Sequence, residues 1–122
     1  MPNTPIVNAG LKYANGLQLA WASDETITIA AGAARDSSNT NDIVLDASVT
    51  VSNIVSGANG LDTGSVAANT MYAVYLIGDS TGYESTAGLL STDASSPNLP
   101  GGYDMYRRIG WVLTDATSDN LL

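Results

Sequence analysis

Two turn-forming runs constrain the fold of this chain more than any other feature of its sequence. The first covers residues 56–65 (SGANGLDTGS) and the second covers residues 97–103 (PNLPGGY). An apolar, aromatic stretch follows each run, at residues 71–77 and 106–113. Glycine, asparagine and proline favour tight turns, and short apolar stretches between turns are typical of strands. The pattern predicts a β-structured protein whose distinctive features are turns and sheet edges rather than an active site.

Alternating apolar residues predict further strands in the first half of the chain. These are residues 17–21, 26–29, 43–46 and 49–51. Asn15-Gly16 is a favoured two-residue hairpin turn, because both residue types tolerate a positive φ. Residues 30–34 are alanine-rich, but the β-branched run before them and Gly32 within them favour a continued strand over a helix. The expected core residues are Leu19, Trp21, Ile27, Ile29, Val44, Val49, Val51, Tyr72, Val74, Leu76, Ile109, Trp111 and Leu113.

Short strands separated by turns predict an all-β fold. The expected form is a compact antiparallel β-sandwich or barrel-like domain, with a jelly roll as one version of it. This single β domain is expected to cover residues 9–122. Residues 1–8 contain Pro2 and Pro5 and no periodic pattern, which is typical of an extended N-terminal arm.

Composition excludes several classes of function. The 122 residues include no cysteine and no histidine, so the chain can form no disulfide, no thiolate nucleophile, no Cys/His zinc site and no imidazole acid–base pair. Four Lys and Arg against 12 Asp and Glu give a net charge of -8, which repels nucleic acid and anionic membranes. We therefore expect no nucleic-acid partner, no membrane partner, no cofactor and no signal peptide.

The acidic residues allow two kinds of site, and no motif supports either. Asp62 could pair with Asp104 or Asp79 as the acid and base of a glycosidase-like enzyme. The Asp- and Asn-rich loop at residues 36–42 could supply oxygen ligands to calcium, although EF-hand spacing is absent. Some of the 12 carboxylates will lie close together by chance. We therefore expect turn residues exposed to solvent, and no enzyme.

Two pairs of side chains have alternative interpretations. Arg107 and Arg108 are adjacent on a predicted strand, so alternation points one inward and the other outward. An inward arginine is expected to pair with a carboxylate, and an outward one to contact a subunit. Trp21 and Trp111 are predicted core residues, with glycan stacking as the alternative.

From Ser56 onward the sequence resembles a module of tailed-bacteriophage virion proteins, which include tail fibres, head fibres and capsid decoration proteins. Four segments in the same order carry the resemblance: residues 57–64 (GANGLDTG), 69–75 (NTMYAVY), 97–103 (PNLPGGY) and 107–112 (RRIGWV). The resemblance extends over the second half of the chain. It implies a non-enzymatic structural module that works in an oligomer, often a trimer.

The resemblance therefore predicts a capsid decoration or cement protein, or a head-fibre anchor, located on the surface of the phage particle after synthesis in the host cytoplasm. The expected partners are other copies of the chain, as a homotrimer, and a capsid or other virion protein. The alternative is a tail-fibre module that binds a host receptor or glycan. Candidate assembly residues are Pro2, Pro5, Ile6, Tyr103, Tyr106, Arg107, Leu121 and Leu122. Residues expected to be critical for turns are Asn15, Gly16, Gly57, Asn59, Gly60, Gly64, Pro100 and Gly101, with Gly60 expected to need a positive φ.

Overall fold

A computed structural model describes residues 13–117 and 120–122, and these residues form strands, turns and loops. The ten strands are β1 (Ala14–Gly16), β2 (Leu19–Ser23), β3 (Thr26–Ile29), β4 (Gly32–Arg35), β5 (Asp42–Leu45), β6 (Val49–Ser52), β7 (Gly60–Leu61), β8 (Met71–Gly78), β9 (Ala87–Ser91) and β10 (Met105–Leu113). The predicted all-β class is confirmed. Within the described residues there is no helix that could cross a lipid bilayer. The predicted arm at residues 1–8 lies outside the described residues.

The first six strands form a three-stranded antiparallel meander in which each long strand is interrupted near its middle. One half has the order β1-β4-β5 and the other half has the order β2-β3-β6. Each long strand therefore contributes one segment to each half. Across the interruption, the Leu17 amide donates to the Ala31 carbonyl (3.2 Å) and the Ala30 amide donates to the Gln18 carbonyl (2.9 Å). These bonds keep the two halves continuous.

The predicted hairpin turn at Asn15-Gly16 is wrong. Asn15 lies within β1, paired with Ala33, and the φ values of Gly16 and Leu17 are +70° and +59°. The two positive φ values bend the chain from β1 into β2 instead of reversing it. The chain reverses after Ser23, between β2 and β3. The interruption also divides the strand predicted through residues 30–34, because β4 begins only at Gly32.

The second sheet has the order β10-β8-β9-β7 and packs against the meander. Its pairs are antiparallel except β7 with β9, which is parallel and departs from the predicted arrangement. The two sheets approach closely where Gly88 lies, because a Cβ there would be 2.4 Å from Val51 Cγ2 and 2.7 Å from Ile29 Cδ1. Residues 72–78 of β8 are all buried, as predicted for a central strand.

The two faces of the second sheet belong to different apolar clusters. Val74 and Leu76 face the meander and form part of the main core. Tyr75 and Ile77 point to the opposite face, where Leu99 and Tyr103 from the following loop pack against them. The loop thus takes the place of another layer of secondary structure over part of this face.

Most of the predicted core is inside, but three residues are exposed. Ile27, Ile29, Val51, Tyr72, Val74 and Leu76 are buried, while Leu19, Val49, Ile109 and Leu113 are half-buried. Val44 is exposed because its neighbours Ile43 and Leu45 both point inward. Trp21 lies on β2, an edge strand whose residues after Leu19 are all exposed. Trp111 is exposed because a β-bulge between Arg108 and Gly110 changes which residues of β10 face the core.

Two of the turns differ in detail from the prediction. Asn59 has the positive φ, +63°, while Gly60 begins β7 without one. In the turn of residues 100–103, where the Tyr103 amide donates to the Pro100 carbonyl (3.2 Å), the left-handed residue is Gly102 and not Gly101. Gly57 and Gly64 have φ values of +90° and +69°. Glycine supports these values without the steric cost that other residues incur.

Candidate functional site

The carboxylates first considered as catalytic groups are hydrogen-bonded within turns. Asp79 Oδ1 accepts from the amide and hydroxyl of Thr81 (2.9 and 2.7 Å), and its Oδ2 accepts from the Glu84 amide (3.0 Å). Asp104 accepts from the amide of Ser80 (2.7 Å) and also from its hydroxyl. The carboxylates therefore organise the loop between β8 and β9 and its contact with the loop before β10.

The structure does not bring Asp62 together with Asp79 or Asp104, the pairing that a glycosidase-like enzyme would need. Asp62 follows β7, and its amide donates to the Leu90 carbonyl beside the end of β9. Asp79 and Asp104 lie beyond Gly78, at the opposite end of the sheet. The separation along the strands is on the order of 15 Å at the usual rise per residue. Asp62 instead accepts a hydrogen bond from the distant Asn98 amide (3.0 Å).

The loop at residues 36–42 is also held by its own carboxylate. Asp36 Oδ1 accepts from the Thr40 amide (2.8 Å) and the Ser38 hydroxyl (3.1 Å). Burial acts to raise the pKa of Asp36, but these hydrogen bonds outweigh it and the pKa is lowered. Among the described residues, no group of three or more acidic side chains is placed to hold a metal ion.

The Asp79 turn predicts an acid-sensitive contribution to stability. Hydrogen bonds from the Thr81 hydroxyl and from the Glu84 and Thr81 amides lower the pKa of Asp79 below its ordinary value of 3.8. Folding therefore favours the carboxylate, so this contribution is complete above the unfolded pKa and is lost as the pH falls through the lower folded value. We expect Asp79→Asn to weaken the decline in melting temperature between pH 6 and about pH 3. The matched control is Asp46→Asn, since the exposed Asp46 accepts no hydrogen bond from a described residue. If the melting temperature fell equally with pH in the wild-type protein and in both variants, the Asp79 carboxylate would not be the source of this acid sensitivity.

The candidate assembly residues have different environments. Pro2, Pro5 and Ile6 lie outside the described residues. The Tyr103 hydroxyl donates to the Ser85 carbonyl (2.7 Å), and the Tyr106 ring packs edge-on against Tyr75 with centroids 5.8 Å apart. Leu121 is buried in the main core, so its expected role at an interface is wrong. Leu122 is 70% exposed.

The two adjacent arginines point to different environments, as alternation predicts. Arg107 is half-buried and donates to the carbonyls of Tyr13 and Arg35, at 3.2 Å each. Both of these acceptors are backbone oxygens, and the expected pairing of an inward arginine with a carboxylate stays a prediction. Arg108 is exposed; it donates to the Ala94 carbonyl (2.7 Å) and lies 5.0 Å from the centroid of the Trp111 ring.

A group of apolar side chains remains uncovered where β8 and β10 meet the final residues. Met71 is the register partner of Leu113, and the Leu122 amide donates to the Leu113 carbonyl (2.9 Å). Trp111 lies two residues from Leu113 and therefore on the same face of the strand. Met71, Trp111 and Leu122 are 51%, 44% and 70% exposed. We call Met71, Trp111, Leu113 and Leu122 the apolar patch.

The border of the apolar patch adds two groups. Trp21 is exposed beside it, with its indole N–H donating to the Leu121 carbonyl (3.1 Å). The Arg108 guanidinium lies against Trp111. Sequence reasoning missed the patch because Trp111 and Leu113 have the pattern of core residues, and Met71 begins a strand that is otherwise buried. These residues are exposed because of the β-bulge in β10 and because the loop that contains Leu99 and Tyr103 covers only part of this face of the sheet.

A search for similar proteins found no match to the chain among protein-family models, curated proteins or solved structures. The site must therefore be interpreted from its own chemistry. That chemistry consists of an apolar patch with a cationic border, together with carboxylates that stabilise turns.

Proposed function

We propose that this chain is a non-enzymatic structural protein of a bacteriophage virion and that copies of it assemble through the apolar patch. The observation that carries the proposal is the clustering of Met71, Trp111 and Leu122 at the surface with no charged residue among them. Isolated exposed apolar residues are normal, whereas adjacent ones mark interaction sites. The viral context comes from the resemblance of residues 57–112 to phage virion modules.

The partner that we propose for the patch is another copy of the chain. Charged residues make up 13% of the sequence, about half the usual share, which reduces repulsion between surfaces brought into contact. The net charge of -8 does repel other copies, but the patch itself contains no acidic residue. Arg108 at the border would meet a neighbour that carries an excess of carboxylates. The trimeric state is proposed from the phage resemblance alone.

Within the virion, we assign the oligomer to decoration or cementing of the capsid, or to anchoring a head fibre. The turn-bound Asp36, Asp79 and Asp104 favour a structural role, because their oxygens already accept hydrogen bonds from the protein. A catalytic carboxylate must instead reach a substrate proton or a reacting atom.

Self-association can be tested by light scattering with size-exclusion chromatography. We expect the wild-type protein to have an oligomeric mass at high micromolar concentration. Leu122→Asp and Met71→Asp should shift the mass to that of a monomer, because each introduces a charge into the buried interface. Ile54→Asp is the matched control, since Ile54 is exposed outside the patch, and it should remain oligomeric. A monomeric wild-type protein, or patch variants with wild-type mass, would refute assembly through this surface.

The virion role requires a separate experiment. Purified phage particles should contain the chain by mass spectrometry, and cryo-electron microscopy of particles carrying a tagged copy should show density for the tag on the head. Absence of the chain from purified particles would refute the proposed location. Density on the tail would favour the tail-fibre alternative instead.

A further inference from the structure

An open cleft beside the apolar patch contains two of the chain's four basic side chains, Arg107 and Arg108. Its volume of about 430 Å³ falls within the range of ligand pockets, about 300–1,000 Å³. Ser37, Ser95 and Tyr106 also line it, and no acidic residue does. We propose that this cleft binds a sugar that carries a carboxylate group.

Arg108 is the principal anion-binding group of the cleft. Its contacts with the Ala94 carbonyl and the Trp111 ring hold the guanidinium in place. No carboxylate of a described residue lies within ion-pairing distance of it. A guanidinium has five N–H donors in a rigid fork, and among the described residues a single oxygen, that of Ala94, accepts from Arg108. The remaining donors suit a carboxylate, which such a fork can bind through two parallel hydrogen bonds.

Arg107 is the second arginine in the lining of the cleft. Its guanidinium donates to the carbonyls of Tyr13 and Arg35, and these hydrogen bonds hold the side chain in place. Asp93 is the acidic residue beside Ala94 and Ser95, and its Oδ1 accepts from the Ser95 and Ser96 amides at 3.0 and 2.9 Å. The Asp93 carboxylate thus serves its own turn and is not part of the cleft lining.

The rest of the lining fits a sugar ring better than a bare anion. The half-buried Tyr106 ring, held edge-on against the buried Tyr75, forms the aromatic wall of the cleft, and its hydroxyl makes no hydrogen bond to a described residue. Ser37 and Ser95 supply two further hydroxyl groups. An aromatic wall accepts the C–H face of a pyranose, and hydroxyls exchange hydrogen bonds with its polar edge. The net charge of -8 disfavours polyanions, so a ligand with a single carboxylate is preferred.

Titration with glucuronate, followed by amide NMR spectra of the intact chain, tests the proposal. We expect shifts at Ser95, Arg108 and the Trp111 indole, and glucose should bind at least about tenfold more weakly because it lacks the carboxylate. Arg108→Gln should lose about tenfold or more in affinity for glucuronate. Ile54→Asp is the control: it makes the net charge more negative by the same one unit, but Ile54 is exposed and lies outside the cleft lining.

Three results would overturn the proposal: no shifts with millimolar glucuronate, equal affinity for glucose, or unchanged affinity in Arg108→Gln. Acetate binding as tightly as glucuronate would overturn the sugar assignment, since the charge alone would then account for the affinity. Arg108 borders the apolar patch as well as lining the cleft, so the titration is repeated on the Leu122→Asp variant, in which the proposed assembly is abolished. Glucuronate should bind this variant at least as tightly as it binds the wild-type protein, so that failure of one proposal can be distinguished from failure of the other.

Discussion

The Val74→Asp variant is expected to be unfolded at neutral pH. Val74 is fully buried in the centre of β8, within the main core. An unpaired carboxylate at this position would lose its hydration or be forced to take up a proton, at a cost on the order of 5 kcal/mol. That cost is comparable with the whole free energy of unfolding of a small domain, about 5–15 kcal/mol.

Val44→Asp is the matched control, because it makes the same substitution at another valine that was expected in the core. Val44 is 50% exposed on β5, so its carboxylate would remain hydrated. We expect this variant to keep the β-type circular-dichroism spectrum and to melt within a few degrees of the wild-type protein. A cooperatively folded Val74→Asp protein would contradict the placement of β8 at the centre of the fold.

The comparison of these two valines also shows what the sequence could predict. Both lie in apolar runs, and such runs identify strands well. Both faces of β8 are buried, so Val74 would be buried whichever face it occupied, and the prediction does not depend on alternation. In β5, however, residues 43–45 are all apolar and a one-residue change of register exchanges the two faces. The structure buries Ile43 and Leu45, so the prediction for Val44 was wrong although the strand was correct.

Long-range pairing was beyond the reach of local patterns. The bend at Gly16 and Leu17 depends on pairing with Gly32 and Ala31 across the meander. An Asn-Gly pair alone indicates a hairpin turn, because that is its commonest use between strands. The β-bulge at Ile109 was also not predictable from local pattern. Alternation predicts that Ile109 and Trp111 lie on the same face of β10, but the bulge inserts an extra residue into the strand and places them on different faces.

The candidate site was predictable only in part. The turn-forming carboxylates were expected, but their partners are often distant, as with Asp62 and Asn98. The apolar patch consists of the same residue types as the core, so composition cannot distinguish them. The cleft depends on Arg108 and on a loop that reaches it from residue 94. Alternation predicted that one of Arg107 and Arg108 points outward but did not identify which one. Neither the loop contact nor the exposure of Trp111 has a local sequence signal.

The Gly60→Ala variant is expected to lose about 3 kcal/mol or more of stability, near the upper end for added volume in a packed interior. Gly60 was first expected to need a positive φ, but the structure gives a different reason for glycine. A Cβ at this position would lie 2.2 Å from the Val55 carbonyl oxygen. The Leu61 amide donates to that same oxygen (2.8 Å), so relieving the clash would strain this hydrogen bond.

Gly101→Ala provides the matched control for this substitution. Gly101 was also predicted to be critical for a turn, but it has no positive φ, and a Cβ there would meet no atom within 4 Å. Removing a glycine where the backbone is compatible restricts the unfolded chain, so Gly101→Ala should be neutral or stabilising by up to about 1 kcal/mol. Urea denaturation of both variants measures the difference directly. If Gly60→Ala unfolded at the wild-type midpoint, the close approach of β7 to Val55 would be wrong, and with it the explanation for glycine in the first of the two turn-forming runs.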